Sequence, residues 1–171
     1  MKVEDAILKR RSVRSYKDKN ISPDKLEKIM NAVRMAPSAN NRQDWKFIVV
    51  KDEKKKNEVF EASKEQSQIK EAPVVIAGIA TDSEKQMTCE VPGGIVDVTI
   101  ALDHLSLIAT EEGLGTCWIG AFYQDKVKKA LEVPEEHKVV SMMTLGYPKK
   151  SMEKREKNRK ELSEVVSYNV F

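Results

Sequence analysis

Residues 95–115, "IVDVTIALDHLSLIATEEGLG", are the stretch on which the fold turns. Ile95, Val98, Leu102, Leu105 and Ala109 recur at helical spacing and form one apolar stripe, and Ala101 and Ile108 widen it beyond a single face. A helix apolar over so much of its circumference either runs through the centre of a fold or lies at a subunit interface. Gly113 and Gly115 stand where such a helix would end. No part of the chain approaches the roughly eighteen uninterrupted apolar residues of a membrane span.

On the N-terminal side of this helix, "PVVIAGIAT" (73–81) is apolar almost throughout, the pattern of a strand buried on both faces. "KFIVVKD" (46–52) is a second β-rich run, and Trp45 before it is expected in the core. Between the two, "DEKKKNEVFEASKEQSQIKEA" reads as an exposed polar helix, and residues 82–94 read as a loop. Earlier, residues 2–10 suit a short helix. In "NISPDKLEKIMNAVRMAPS", Ser22 is positioned to cap, Pro23 fits the first helical turn, and Asp24 complements the positive helix end. Leu26, Ile29, Met30 and Val33 then repeat at helical spacing, and Pro37 closes the segment.

On the C-terminal side, "TCWIGAF" reads as a strand or turn, "QDKVKKALEV" as a helix and "HKVVSMMTLGYP" as a strand. The tail begins as a charge run and ends apolar at Val165, Val166, Tyr168, Val170 and Phe171, which suggests docking on a partner chain. The mixture of elements argues for α+β, with helices packed on one sheet, and for a single domain spanning 1–171.

Thirty basic residues are nearly balanced by twenty-seven acidic ones, so charge does not favour a nucleic-acid or membrane-surface role. Cys89 and Cys117 are isolated, which fits a reducing compartment. The N-terminus lacks the long apolar run of a signal peptide. A cytoplasmic protein is expected. His104 and His137 are far apart and no paired-cysteine motif is present, so no metal site is expected.

Three stretches carry residues suited to binding. "KRRSVRSY" (9–16) crowds Arg10, Arg11 and Arg14 around Ser12; guanidinium and hydroxyl groups together suit a phosphate, and a solvated basic surface is the plainer alternative. "APSANNRQDWKF" places small and amide side chains between a helix and a strand, suited to a heteroaromatic edge or simply to ending a helix. "GLGTCWIGAF" supplies glycines that allow close backbone approach, or no more than a connection. The tail adds "KREKNRKEL".

As an ordered set these segments resemble the FMN-dependent nitroreductase family, particularly its short members. "LKRRSVRSY" is similar to its N-terminal FMN motif and "MAPSANNRQDWKFIVV" to its second. "DVTIALDHLSLIATEEGLGTCWIGAF", "LGYP" and "RKELSEVVSYN" follow in the family's order, so the resemblance covers essentially the whole chain. It implies an α+β fold with a central antiparallel sheet flanked by helices, a homodimer with FMN at the interface, and a C-terminal segment exchanged with the partner subunit.

By the same resemblance, Arg10 and Ser12, with Arg11 beside them, hold the FMN phosphate. Arg159 joins from the tail with Lys157 or Lys160, and Arg14 lies near the flavin N1 edge. Pro37, Ser38 and Asn41 come from the other subunit, Gln68 contacts the ribityl chain or pyrimidine, and Gly120 and Ala121 offer backbone N–H groups toward N5 and O4. NAD(P)H is the implied co-substrate of a ping-pong oxidoreductase that reduces a nitroaromatic, quinone or similar electron-poor acceptor, with no catalytic side chain. A flavin-binding sensor or storage protein, a dehalogenase-like enzyme and a flavin-fragmenting enzyme share the same contacts. Asp44 stands where many members have proline, and residues 82–94 are shorter than the substrate-covering insertion of larger members.

Overall fold

The structure is a computed structural model that describes residues 1–153 and 157–171. Lys154, Arg155 and Glu156, which open the tail's basic run, lie outside the described residues. Four strands, β1 (Trp45–Val50), β2 (Val74–Ala80), β3 (Gly115–Ile119) and β4 (Lys138–Gly146), form one sheet in the order β1-β2-β4-β3, each neighbouring pair antiparallel.

β2 is buried along its whole length. Its alternating side chains feed two separate cores. Val74, Ile76 and Ala80 face the helices α2 (Pro23–Arg34) and α5 (Gly93–Glu111). Val75, Ala77 and Ile79 join the opposite core, under α3 (Glu53–Ala62), α4 (Ser67–Glu71) and α6 (Gln124–Leu131). Helices therefore cover both faces of an antiparallel sheet, which explains why β2 is apolar without alternation. α5 is the central helix: Val98, Ala101, Leu102, Leu105 and Ala109 are fully buried. By length and composition it could cross a membrane, yet more than half of its most apolar window is buried inside the chain. Gly78 of β2 faces it so closely that a Cβ there would sit 2.7 Å from Val98 Cγ1.

Several expectations are corrected in detail. Ser22 holds the N-cap position of α2, but its side chain makes no capping hydrogen bond. The polar stretch 52–72 is two helices, and α3 is not merely a surface helix, because Lys56, Val59 and Ala62 are buried. Asp52 caps α3 by accepting the Lys55 backbone N–H at 2.9 Å. Gly113 ends α5 in the left-handed region (φ 74°), whereas Gly115 already belongs to β3. Gly93 and Gly94, read as loop, are the first residues of α5.

The N-terminal segment after α1 (Val3–Lys9) lies along the outer side of β3. Ser12 bridges Thr116 in parallel, and Val13 N–H donates to the Thr116 carbonyl at 2.8 Å. Gly115 permits this approach, since a Cβ there would lie 2.5 Å from Val13 Cγ2. Tyr16 locks the segment: its hydroxyl donates to the Val13 carbonyl and shares a hydrogen bond with the Thr144 hydroxyl, both at 2.6 Å. Burial holds its phenol far above the ordinary value, against the lowering effect of Thr144.

Candidate functional site

The parallel bridge to β3 fixes the direction of residues 10–16, and the tail returns beside them. Lys157 Nζ donates to the Ile7 carbonyl at 2.6 Å, joining the tail to α1 across 150 positions of sequence. Partial burial, and then the charges of Arg10 and Arg159, hold the Lys157 ammonium below its usual range. Lys157 therefore lies close enough to Arg10 and Arg159 to feel their charges, and among the described residues none of the three has a carboxylate partner. Such a cluster repels itself, and an oxyanion between its members removes that repulsion. Arg11 turns elsewhere and donates to the Ser151 carbonyl. Lys160 is exposed on the tail, just before α7 (Leu162–Val165).

Ser12 and Arg14 lie next to Cys117 of β3. Burial pushes the Cys117 thiol up, and Arg14 and the Ser12 hydroxyl oppose that shift. Cys117 is almost wholly buried, the setting of a packing residue, and its raised thiol pKa disfavours the thiolate. Arg11, Ser12, Arg14 and Ser15, with Pro148 and Lys150, line a cavity of about 190 Å³. Glu71, at the end of α4, secures the arm from below by accepting from Ser15 Oγ and Tyr16 N–H, each at 3.1 Å, and by pairing with Lys149 at 3.2 Å.

The opposite end of β3 gathers a second group. β3 stops at Ile119, and a Cβ built on Gly120 would meet nothing within 4 Å, so this backbone borders open space. Gln66 Nε2 donates to the Ala121 carbonyl at 2.9 Å, and Gln66 Oε1 accepts from Gln68 Nε2 at 3.2 Å. Gln68, Gln66 and Ala121 form one chain of amides. Gln66 escaped the sequence reading, because its place depends on the close approach of the α4 start to the β3 end, which no local pattern encodes.

The loop between α2 and β1 stands apart. A single 3₁₀ turn (Ala39–Asn41) follows Pro37 and Ser38. Asn40, Asn41 and Gln43 all have positive φ, at 51°, 55° and 57°, so this backbone is held in a conformation that L residues seldom adopt. Asp97, buried in the first turns of α5, accepts the Ala39 N–H at 3.1 and 3.2 Å. Ser38 Oγ accepts from Gln43 N–H at 3.1 Å, and Arg42 pairs with Asp44 at 2.7 Å. Among the described residues no hydrogen bond joins residues 37–44 to residues 10–16. Asp97 was also missed, although a carboxylate inside so apolar a helix signals a fixed partner.

The geometry provides a cationic point for an oxyanion, an amide-lined edge beside open backbone, and a rigid polar loop. The nitroreductase family profile matches residues 7–93 and 68–147. A nitroreductase family protein of Clostridium novyi NT is 36% identical, and its crystal structure superposes with a TM-score of 0.83 over 87% of this chain and 86% of its own. An Archaeoglobus fulgidus protein whose name joins NADH dehydrogenase to NAD(P)H nitroreductase is 34% identical over 147 residues, 84% of this chain and 83% of its own. The NADPH:FMN oxidoreductase of Vibrio harveyi, solved with NAD+, is 26% identical with a TM-score of 0.89, covering 99% of this chain and 77% of its own. The central antiparallel sheet with its flanking helices is common ground, and the chain belongs to the nitroreductase family.

Proposed function

We propose that this protein is an FMN-dependent NAD(P)H oxidoreductase that passes electrons to a nitroaromatic, quinone or similarly electron-poor acceptor. The observation that carries the reading is the return of the tail to α1 through Lys157, within the influence of Arg10 and Arg159 and, among the described residues, without a carboxylate partner for any of the three. The names of the relatives point the same way: one couples NAD(P)H to nitro reduction and another couples NADPH to FMN. The donor set fits a flavin mononucleotide, since it offers cations for a phosphate dianion, amides for a heterocycle and unobstructed backbone for a planar ring. Bound FMN supplies hydride exchange, first with the dinucleotide and then with the acceptor.

The chain's own residues bind and tune. Arg10, Ser12, Lys157 and Arg159, with Arg11 and Lys160 nearby, neutralise the phosphate. Arg14 places a fixed positive charge where reduction adds negative charge, which favours the reduced ring. Gln68 holds the polar edge, and Gly120 and Ala121 offer backbone N–H groups. Pro37, Ser38 and Asn41 serve the site of a second copy, and among the described residues they make no hydrogen bond to residues 10–16 of their own chain. The molecule is one FMN-binding domain that works as a cytoplasmic homodimer with its site between subunits. The exposed apolar tail and the outer edge of β1, unpaired among the described residues, support that arrangement, with the tail of each copy exchanged onto the other.

An absorbance spectrum of the purified protein tests the cofactor: flavin bands with FMN released on denaturation are expected, and a colourless protein that does not take up FMN contradicts it. Arg10→Ala and Arg159→Ala are each expected to weaken FMN retention by ~1.5–3 kcal/mol, the scale of a hydrogen bond to a charged group. Unchanged affinity in both removes the phosphate assignment.

A further inference from the structure

Beyond the flavin contacts, one exposed surface beside Gly120 and Ala121 carries a pattern that the proposed function does not absorb. Tyr123, three residues past Gly120, is 47% exposed although it is a large aromatic. Two ammonium groups lie over its ring, Lys126 Nζ at 4.8 Å and Lys64 Nζ at 6.0 Å from the centroid. Among the described residues neither lysine has a carboxylate within ion-pair distance, although Glu58 and Glu61 line the same surface pocket as Lys126.

The surface is built rather than incidental. Lys64 and Glu65 both adopt φ of 52°, a left-handed pair without glycine. Backbone bonds from Ser63 and Glu65 to the Phe60 carbonyl, at 3.0 and 3.1 Å, hold that turn closed. Its next residue is Gln66, whose amide reaches Ala121. Tyr123 N–H donates to the Ala62 carbonyl at 2.9 Å, which ties the other side of the same surface to the end of α3. The two lysines are therefore set from both sides around one ring, next to the backbone edge assigned to the flavin. Three residues span at most about 10 Å, so the distance from that edge is within reach of an extended ligand lying partly over it.

We propose that Lys64, Tyr123 and Lys126 form the subsite for the adenylate and pyrophosphate end of the dinucleotide hydride donor. The proposal rests on the flavin reading above. A nitroaromatic or quinone acceptor has no need of two unneutralised ammonium groups at the rim, whereas a nicotinamide dinucleotide carries a pyrophosphate beyond its reacting ring and ends in an aromatic base. An aromatic face positions the ammonium groups held over it, and a phosphate group can take them up without breaking an ion pair.

The test is calorimetric titration of the full-length, flavin-loaded protein with ADP-ribose, which has the pyrophosphate and adenine but no nicotinamide. Lys64→Glu and Lys126→Glu are each expected to weaken its binding roughly two- to fivefold at low salt, the range of an exposed ion pair. The difference from the parent should shrink at about 0.5 M salt, where screening is strong. The neutral pair Lys64→Gln with Lys126→Gln is expected to weaken binding in the same direction and by less than the double charge reversal. In steady state, the ratio of KM for NADH or NADPH to KM for reduced nicotinamide mononucleotide should rise by the same factor. ADP-ribose affinity unchanged in both charge reversals overturns the proposal, as does an unchanged ratio. Absence of bound FMN defeats the flavin reading instead, and ADP-ribose binding that still depends on Lys64 then leaves the subsite standing.

Discussion

Two segments of this chain are equally conspicuous for apolar residues, and they meet opposite fates. Residues 93–111 become α5, with Leu102 and Leu105 fully buried between the sheet and α2. Residues 162–171 contain Leu162, Val165, Val166, Tyr168, Val170 and Phe171, and every one of them is exposed, from 40% at Val166 to 118% at Phe171. Composition does not separate the two. Length and flanks do: α5 runs for 19 residues beside the buried strand β2, whereas α7 (Leu162–Val165) spans 4 residues and begins at a capping box between Glu161 and Glu164 rather than against a neighbour. A single helical turn cannot present a continuous stripe to its own fold, and a cluster of exposed apolar groups of this kind is the pattern of an interaction surface.

The contrast is broken most forcefully from the α5 side. Leu102→Ala removes a fully buried side chain wedged near Gly78, and relaxation there is limited because β2 is packed on both faces. A loss of about 2–5 kcal/mol is expected in denaturant unfolding, the range for such truncations in close-packed cores. A loss under about 1 kcal/mol would place α5 at the surface and cancel the contrast.

Removal of residues 162–171 probes the other side. The described tail side chains add nothing to the chain's own core, so far-ultraviolet circular dichroism and cooperative unfolding should persist. If the tail covers a second copy, light scattering should report a shift from dimer to monomer together with loss of retained FMN. A truncated chain that stays dimeric shows that the copies meet elsewhere, on the flank of α5 and α1, where Val3 and Ile7 are also exposed.

How much of this was legible in the sequence follows from range. α2, α5 and β2 were readable because periodicity and apolar run length are local, and the binding motifs were readable because charge and amide content are local. The bridge from Ser12 to Thr116 was not, since it depends on Gly115 leaving room for Val13 from about a hundred residues away. Nor were the left-handed turns at Asn40–Gln43 and Lys64–Glu65, which contain no glycine to announce them. The amide chain through Gln66 requires two elements to meet and could only be seen once they had.

Between the buried helix and the exposed tail lies an intermediate case, the arm 10–16, docked by the buried Val13 and Tyr16 together with polar contacts, and its polar part yields the smallest predicted effect. Glu71 accepts the Tyr16 backbone N–H, pairs with Lys149 and accepts from Ser15; the first two outweigh partial burial and hold its carboxyl below the ordinary range. A carboxylate whose folded pKa is depressed contributes stability that is fully present above its unfolded pKa, about 4.3, and is lost as pH falls through the folded value. Glu71 is about a third exposed, so solvent screening keeps the contribution to roughly 1 kcal/mol or less. Glu71→Gln keeps an acceptor for Tyr16 and removes only the charge. Its melting temperature should therefore fall below that of the parent at pH 7 by a few degrees at most, and the two curves should converge as pH drops below 4.3. A gap that persists unchanged into strong acid would mean that shape, not charge, docks the arm, and would move the arm toward α5 rather than the tail in the comparison.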